Sequence, residues 1–474
     1  MLIQSAIIMN RLFIFIFGLL FLTASCQNQK PNILFILVDD LGYHDLSVNN
    51  SKIYQTPNID RLSEESVVFH NAYANFPRCV PSRYATWTGN YPVKKDKVPD
   101  DGFVMKNIPD SKNIIKQITQ SGYQTAFFGK WHLGGKDTGT GPVGFGFETS
   151  VAAGHAGSPI SYFYPFNTPK NRAPGYQSKK VPIDDLEGIA KKGEYLTDVL
   201  TDQAVKYIKN RDKKKPFMAV LAFYAVHQPL EGKKDLTEKN KKEIAAFDFG
   251  DQPEYIREGT GKTKMRQDNP AYAAMVENMD LNVGKLIKLL KDQGIEDNTI
   301  LIFSSDHGGL SNEGTRKRNL ATSNYPLRAG KGWLYDGGIK VPLFIKWNGH
   351  FKPGDDQESI VLLMDVLPTL LDITNRKKAD VNGKSLVPLL NRQEKWNERT
   401  VFWHSPNARP YATGDTKSSA IRKGKYKLIN WYEEGRTELY NIDQDPGEQH
   451  DLSASMPEKT KELLKELNQW KSKY

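Results

Sequence analysis

Cysteine is nearly absent, with two residues, Cys26 and Cys79, in a chain of 474. So few thiols exclude a disulfide-stapled scaffold and a thiolate metal centre. Long apolar runs are also missing. Residues 12–22, behind Arg11, are too short to cross a bilayer and have the length of a signal-peptide hydrophobic region. There is no internal repeat and no nucleotide-binding glycine loop, since Gly144 to Gly146 lacks the strand and helix such a loop needs. The formal charge is +10, which suits an acidic partner. Nucleic acid is excluded as that partner, because no basic helix or aromatic-interleaved basic patch accompanies the charge. Much of the excess is lysine in Lys213-Lys214-Lys215 and in the polar stretch 231–269, read as solvated surface.

What the chain does have is a series of buried-strand signals, most of them delivering polar residues at the exit. Residues 32–38 (NILFILV) form a continuous branched apolar run, the pattern of a strand buried on both faces. Strands are also expected at 67–73, 123–128, 216–224, 299–304 and 341–347, and helices at 58–65, 113–120, 195–209, 271–293 and 365–371. From about Asn391 the texture changes to short strands (401–404, 419–422, 426–431, 437–441) and a helix at 457–470. These signals predict an α/β fold. A large mixed, mostly parallel sheet sandwiched by helices occupies residues 27–390, after a leader of residues 1–26. A small C-terminal antiparallel sheet plus helix occupies 391–474.

In open α/β sheets ligands bind at the carboxyl ends of the strands. Asp39-Asp40 follow the first strand directly, either as a loop cap or as metal ligands; the strand-end position favours a metal, because adjacent buried acids repel unless a cation compensates. Asp306-His307 repeat that logic after 299–304. Lys130 and His132 follow 123–128, and His227 follows 216–224, where a packed core histidine is the alternative. Cys79 precedes a proline able to open a helix, so it sits where backbone N–H groups favour negative charge, and Arg83 one turn on can hold the nucleophile or an anion.

The run Cys79-Val80-Pro81-Ser82-Arg83, with Thr88-Gly89, resembles the signature of type I sulfatases, in which the cysteine is oxidised to formylglycine. The leucine usual before Thr-Gly is missing here. Gly129-Lys130-Trp131-His132-Leu133-Gly134 is similar to a second motif of that family, His227-Gln228-Pro229 to a third, and Arg328-Ala329-Gly330-Lys331-Gly332 to a fourth. Leu439-Tyr440-Asn441-Ile442 resembles the family's tail. The resemblance implies an alkaline-phosphatase-like fold and hydrolysis of sulfate monoesters on a sulfated saccharide, an algal polysaccharide such as ulvan or a glycosaminoglycan.

It further implies a formylglycine-generating or anaerobic sulfatase-maturing enzyme as a partner in biogenesis. One metal ion is expected on Asp39, Asp40, Asp306, His307 and an oxygen of the modified Cys79. The oxygen-rich set favours Ca²⁺ over Mg²⁺, while His307 keeps zinc open. Lys130 and Lys331 neutralise the sulfate, Arg83 orients the nucleophile, His227 protonates the leaving alcohol and His132 serves as base. His155, Arg318 and His404, outside the shared motifs, are candidate sugar contacts. Leu22-Thr23-Ala24-Ser25-Cys26 resembles a lipobox, implying a lipidated Cys26 and an exported outer-membrane lipoprotein; a soluble periplasmic protein is the alternative. Two other functions fit the same residues, a formylglycine-dependent phosphodiesterase or phosphonate monoester hydrolase, and a non-catalytic sulfated-glycan binder that never matures Cys79.

Overall fold

The computed structural model describes residues 30–94, 97–99, 105, 108–167, 182–183, 185–375 and 377–474. The leader and Cys26 lie outside them. Eight strands build the main sheet: β1 (Asn32–Val38), β2 (Val67–Phe69), β3 (Gln124–Gly129), β4 (Thr149–Val151), β5 (Phe217–Ala222), β6 (Thr299–Ser305), β7 (Leu343–Lys346) and β8 (Gly354–Asp356). Their spatial order is β8-β2-β7-β6-β1-β5-β3-β4. The block β6-β1-β5-β3-β4 is parallel throughout, and β7 runs antiparallel to both of its neighbours.

The two-residue period of β1 explains why the whole run is apolar. Leu34, Ile36 and Val38 enter one buried cluster with helices α4 (Leu196–Asn210) and α6 (Pro270–Asp292). Ile33, Phe35 and Leu37 enter the opposite cluster, beside α2 (Cys79–Thr88), α3 (Ile114–Gln120) and α7 (Val366–Asn375). Both faces are covered, as a parallel sheet requires.

Because β6, β1, β5 and β3 are parallel neighbours, their carboxyl ends lie side by side, and backbone bonds lock the exits together. Asp306 N donates to the Val38 carbonyl at 3.0 Å, Val226 N to Asp39 at 2.8 Å and Lys130 N to Ala222 at 2.7 Å. The sheet therefore gathers Asp39, Asp306, Lys130 and the His227 loop at one edge.

One sequence expectation is corrected. Residues 67–73 are not one strand: β2 ends at Phe69, and Ala72–Tyr73 pairs with Val361–Leu362 in a separate ribbon. At the break, His70 N bonds the Asp356 carbonyl and the Asn71 side chain bonds the Gln357 carbonyl, so the chain turns along β8. The polar stretch 231–269 holds α5 (Lys234–Ala246) and a hairpin, Tyr255–Glu258 with Gly261–Lys264. Its helix packs on α6 through polar groups, Lys239 and Asn240 both bonding Glu277 at 2.7 Å, which is why no apolar period marks it.

The C-terminal sheet, β9 (Thr400–Ser405), β10 (Ser418–Lys423), β11 (Tyr426–Trp431) and β12 (Arg436–Asn441), is antiparallel and covered by α8 (Pro457–Lys471). It is stitched to the main domain by Trp403 Nε1 on the Ala74 carbonyl at 2.8 Å. Fully buried Lys427 adds a second stitch, lying 2.7 Å from Asp336 and 2.8 Å from Glu448. No helix among the described residues is long and apolar enough to cross a membrane.

Burial, opposed in part by the Lys427 charge, raises Glu448 above its ordinary value of 4.5. The folded carboxyl then keeps its proton to higher pH than the unfolded chain does, so this group's contribution to stability falls as pH rises from 4.5 towards neutrality. Urea unfolding across that window should show Glu448→Gln gaining on the wild type as pH rises. A stability difference that is flat with pH contradicts this.

Candidate active site

Cys79 is the first residue of α2, 7% exposed. Its Sγ lies 3.2 Å from His307 Nε2, 3.5 Å from Lys331 Nζ and 3.7 Å from Asp39 Oδ1, and the His132 side chain also bonds it. Lys130 Nζ holds Asp39 Oδ2 at 2.5 Å, and Lys331 Nζ holds Asp40 Oδ1 at 2.6 Å. His227 Nε2 stands 3.6 Å from Asp40 Oδ2. The structure thus gathers Asp39, Asp40, Cys79, Lys130, His132, His227, Asp306, His307 and Lys331 around one point. Asp40 and His132 have φ of 62° and 61°, left-handed backbone in non-glycine residues, a strain that functional loops tolerate. Gly157 lets His132 in, because a Cβ there would meet His132 Nε2 at 2.4 Å.

Arg83 belongs to the same cluster, with Nη2 buried, without a hydrogen-bond partner among the described residues and 3.9 Å from Asp39 Oδ1. Its Nε bonds Asp306 Oδ2 at 2.8 Å and its Nη1 the Lys130 carbonyl at 2.5 Å, so the fully buried guanidinium fixes Asp306 and the Lys130 backbone. Ser82 shares this work by donating to the Asp306 carbonyl at 2.5 Å. It was visible in the Cys79 motif without a role attached.

Asp45 escaped the sequence reading altogether. This buried acid accepts bonds from Gly42 N, Tyr272, Thr322 and Gln267 directly behind Asp40, and burial, against those four bonds, pushes it up to about 6. An acid five residues after Asp40 was the only available signal.

The charges set the chemistry. Burial alone would raise the Cys79 thiol, yet Lys130, Lys331 and His307 outweigh it and hold the group well below its ordinary value. This is a place that favours negative charge on residue 79. Burial raises Asp39, opposed by Lys130, with Asp306, Cys79 and Asp40 adding to the rise. Asp306 goes down because His307 and Arg83 outweigh its burial. His227 is held well below 6.5 by burial, then by Lys331 and Lys130, so it is a neutral imidazole at neutral pH. Its Nδ1 faces the Gln228 carbonyl at 2.8 Å and so carries the hydrogen, leaving Nε2 aimed into the site.

The donor set fits a divalent cation. Ligand atoms of Asp39, Cys79, Asp306 and His307, all buried, lie within 4.8 Å of one another. Asp40 Oδ2 is buried with no hydrogen-bond donor. His307 spends its Nδ1 hydrogen on the Gly308 carbonyl at 2.9 Å, so its Nε2 lone pair meets Asp40 Oδ1 at 3.2 Å and Asp306 Oδ1 at 3.5 Å. Lone pairs facing each other at these distances need a positive charge between them, supplied by a proton or a metal ion.

The three candidate sugar contacts each bond a group outside this cluster. His155 bonds Asp137 at 3.0 Å in a neighbouring loop. Arg318 stands half-buried one residue before Asn319, whose carbonyl accepts from Gln228. His404 is 3% exposed on β9, with Nδ1 against the Ser419 hydroxyl 2.5 Å away on β10. That burial corrects its expected role to packing within the small sheet.

The sequence profile of the sulfatase family matches residues 31–376, and that of the C-terminal part of N-sulphoglucosamine sulphohydrolase matches 329–473. A sulfatase of Formosa agariphila is 31% identical, over 96% of this chain and 92% of that protein. Human N-acetylgalactosamine-6-sulfatase is 28% identical, over 86% of this chain and 73% of that protein. Among solved structures, Ps i-CgsB in complex with k-i-k-neocarrahexaose superposes with a TM-score of 0.72 at 28% identity, covering 94% of this chain and 93% of that one. These matches run across the strands and loops that bring Cys79, the four acid and imidazole ligand candidates and the two lysines together, so the chain belongs to the sulfatase family and is a sulfuric ester hydrolase.

Proposed function

We propose that this protein removes sulfate monoesters from a sulfated saccharide, working through Cys79 after its oxidation to formylglycine and with one calcium ion at the Asp39, Asp40, Asp306 and His307 cluster. The observation that carries this reading is the setting of Cys79, a buried side chain with Lys331, His307 and His132 all turned on its reactive atom. A saccharide is favoured by the relatives, one named for N-acetylgalactosamine 6-sulfate and one solved with k-i-k-neocarrahexaose. The leader-like N-terminus with Cys26 makes the protein an exported, lipid-anchored one in this reading.

The hydrate of formylglycine supplies the nucleophile towards sulfur, and bound calcium supplies positive charge that favours the ionised nucleophile. The chain's own residues do the rest. Lys130, held on Asp39, and Lys331, held on Asp40 beside Cys79, bind the sulfate oxygens, and Arg83 with Ser82 keeps Asp306 in place. Burial first, then the two lysine charges, keeps His227 neutral in the free protein; the negative charge of a bound sulfate favours a proton on its Nε2, which can pass it to the departing alcohol oxygen. His132, bonded to residue 79, removes a proton from it in the second half of the cycle. Proton transfer contributes about 10²–10⁴-fold and each preorganised donor roughly 3–4 kcal/mol. A barrier reduction of some 20 kcal/mol therefore needs the whole cluster.

The test is sulfate release from a panel of defined sulfated oligosaccharides, with an aryl phosphodiester as counter-substrate. Sulfate release with little phosphodiester cleavage supports the reading; the reverse preference removes it. Dialysis against a chelator should abolish turnover and lower the melting temperature, with calcium restoring both, because a ligand at 1,000 times its Kd stabilises by about 4 kcal/mol. Unchanged turnover and melting after metal removal, verified by elemental analysis, contradicts the calcium assignment.

A further inference from the structure

Resting on the saccharide reading above, we propose that the loops beyond His227 and Lys331 form a second anion subsite. It would receive an acidic group, a further sulfate or a uronate, on the sugar next to the one losing its sulfate. Residues 314–319 are fastened to the site where Gln228, beside His227, donates to the Asn319 carbonyl. Residues 406–415 are fastened at two places. Arg78, beside Cys79, donates to the Asn407 carbonyl at 2.7 Å, while Asn312 and Trp333 each donate to the Thr413 carbonyl at 2.8 Å. The two loops also hold one another, with Arg316 N on the Tyr411 carbonyl at 3.0 Å and Gly314 N on Ala412 at 3.3 Å.

What this fastened pair displays is a run of cations and an aromatic ring. Arg316 and Lys317 are exposed, and Tyr411 is 62% exposed, the largest value among the exposed large hydrophobic side chains of the described residues. The neighbouring hairpin extends the charge. Arg257 lies directly opposite Lys262 in the ladder, and Thr260 Oγ1 ties the hairpin to the Pro410 carbonyl at 3.0 Å.

Two acids of the hairpin and its neighbouring strand are already engaged. Glu313 takes the Arg318 N–H at 2.6 Å and faces Lys262 at 3.7 Å, and Glu258 is paired with Arg328 at 2.9 Å. A cationic face carrying an exposed ring suits an acidic sugar, the ring lying against its C–H face and the cations on its anionic group. The occupant follows from charge complementarity and from continuity with the reactive cluster.

The full chain can be tested by affinity electrophoresis through gels containing chondroitin 6-sulfate or neutral dextran. The wild type should be retarded by the sulfated polymer alone. Affinity should fall roughly tenfold in Arg316→Ala/Lys317→Ala and in Tyr411→Ala. Lys241→Ala/Lys242→Ala on the exposed side of α5 removes the same charge elsewhere and should keep wild-type retardation. No retardation of the wild type, equal retardation of all variants, or an equal loss in the α5 control overturns the proposal. In turnover, the ratio of kcat/KM on a sulfated oligosaccharide to that on 4-nitrophenyl sulfate should fall by the same factor in the loop variants, and an unchanged ratio also overturns it. Failure of the sulfatase reading is seen separately, as wild-type protein inert towards 4-nitrophenyl sulfate whatever its retardation.

Discussion

Replacing Cys79 by alanine should lower sulfate-ester turnover by about 10⁵-fold or more, the scale seen when a nucleophile is removed from an otherwise intact site. No neighbour can take over. Ser82, three residues on, has its hydroxyl spent on the Asp306 carbonyl, and the remaining polar groups at the site are lysines, imidazoles and carboxylates already paired with one another. Cys79→Ser separates two roles. A serine hydroxyl can attack sulfur, but it lacks the second hydroxyl that would expel the sulfate, so at most one turnover per chain is expected. Stopped-flow or quench measurements with an aryl sulfate would show a burst followed by no steady rate. Steady turnover by Cys79→Ser near the wild-type rate means that a simple alcohol suffices and that oxidation of residue 79 is unnecessary.

His227→Ala should lower kcat about 10²–10⁴-fold on a sugar sulfate, whose departing alkoxide needs a proton. On 4-nitrophenyl sulfate the loss should be small, because that leaving group departs as a stable anion. The contrast follows from geometry. Nδ1 is committed to the Gln228 carbonyl at 2.8 Å, which leaves Nε2, 3.6 Å from Asp40, as the one atom of this ring that can take up a proton and deliver it to the substrate. A residue that merely helps hold sulfate would affect both substrates alike and would raise KM. Equal losses on the two substrates therefore reassign His227 from proton donor to sulfate binder.

Much of the architecture was legible because buried parallel strands have an unmistakable pattern and each ends in the residues it presents. The run 32–38 matched β1, and residues 426–431 matched β11. What the sequence could not display was long-range pairing. Asp40 and Lys331 are 291 positions apart, and Asp39 and Lys130 are 91 apart, yet each pair is in direct contact. Only the resemblance of the motifs linked them beforehand.

The failures have physical causes as well. Helix α5 was hidden because it packs through Lys239 and Asn240 on Glu277 rather than through an apolar stripe. The break after Phe69 was hidden because β8, the strand that bends the chain there, lies nearly 300 residues further on. His404 lies outside the shared motifs, where sugar contacts are expected, but strand alternation turns its ring onto Ser419. Arg83 stands on α2 as its spacing predicts, and its Nε bond to Asp306 is invisible in the sequence because it depends on where β6 ends.

The central claim is that a buried cluster of charged side chains converges on an oxidised residue 79. Its most direct test is peptide mass spectrometry of the Cys79 segment, on protein produced together with a maturing enzyme and on protein produced without one, each sample assayed for sulfate release. The account predicts a peptide lighter by the difference between a thiol-bearing methylene and an aldehyde, with activity proportional to the aldehyde fraction. Full activity in a preparation whose residue 79 is entirely thiol would contradict it.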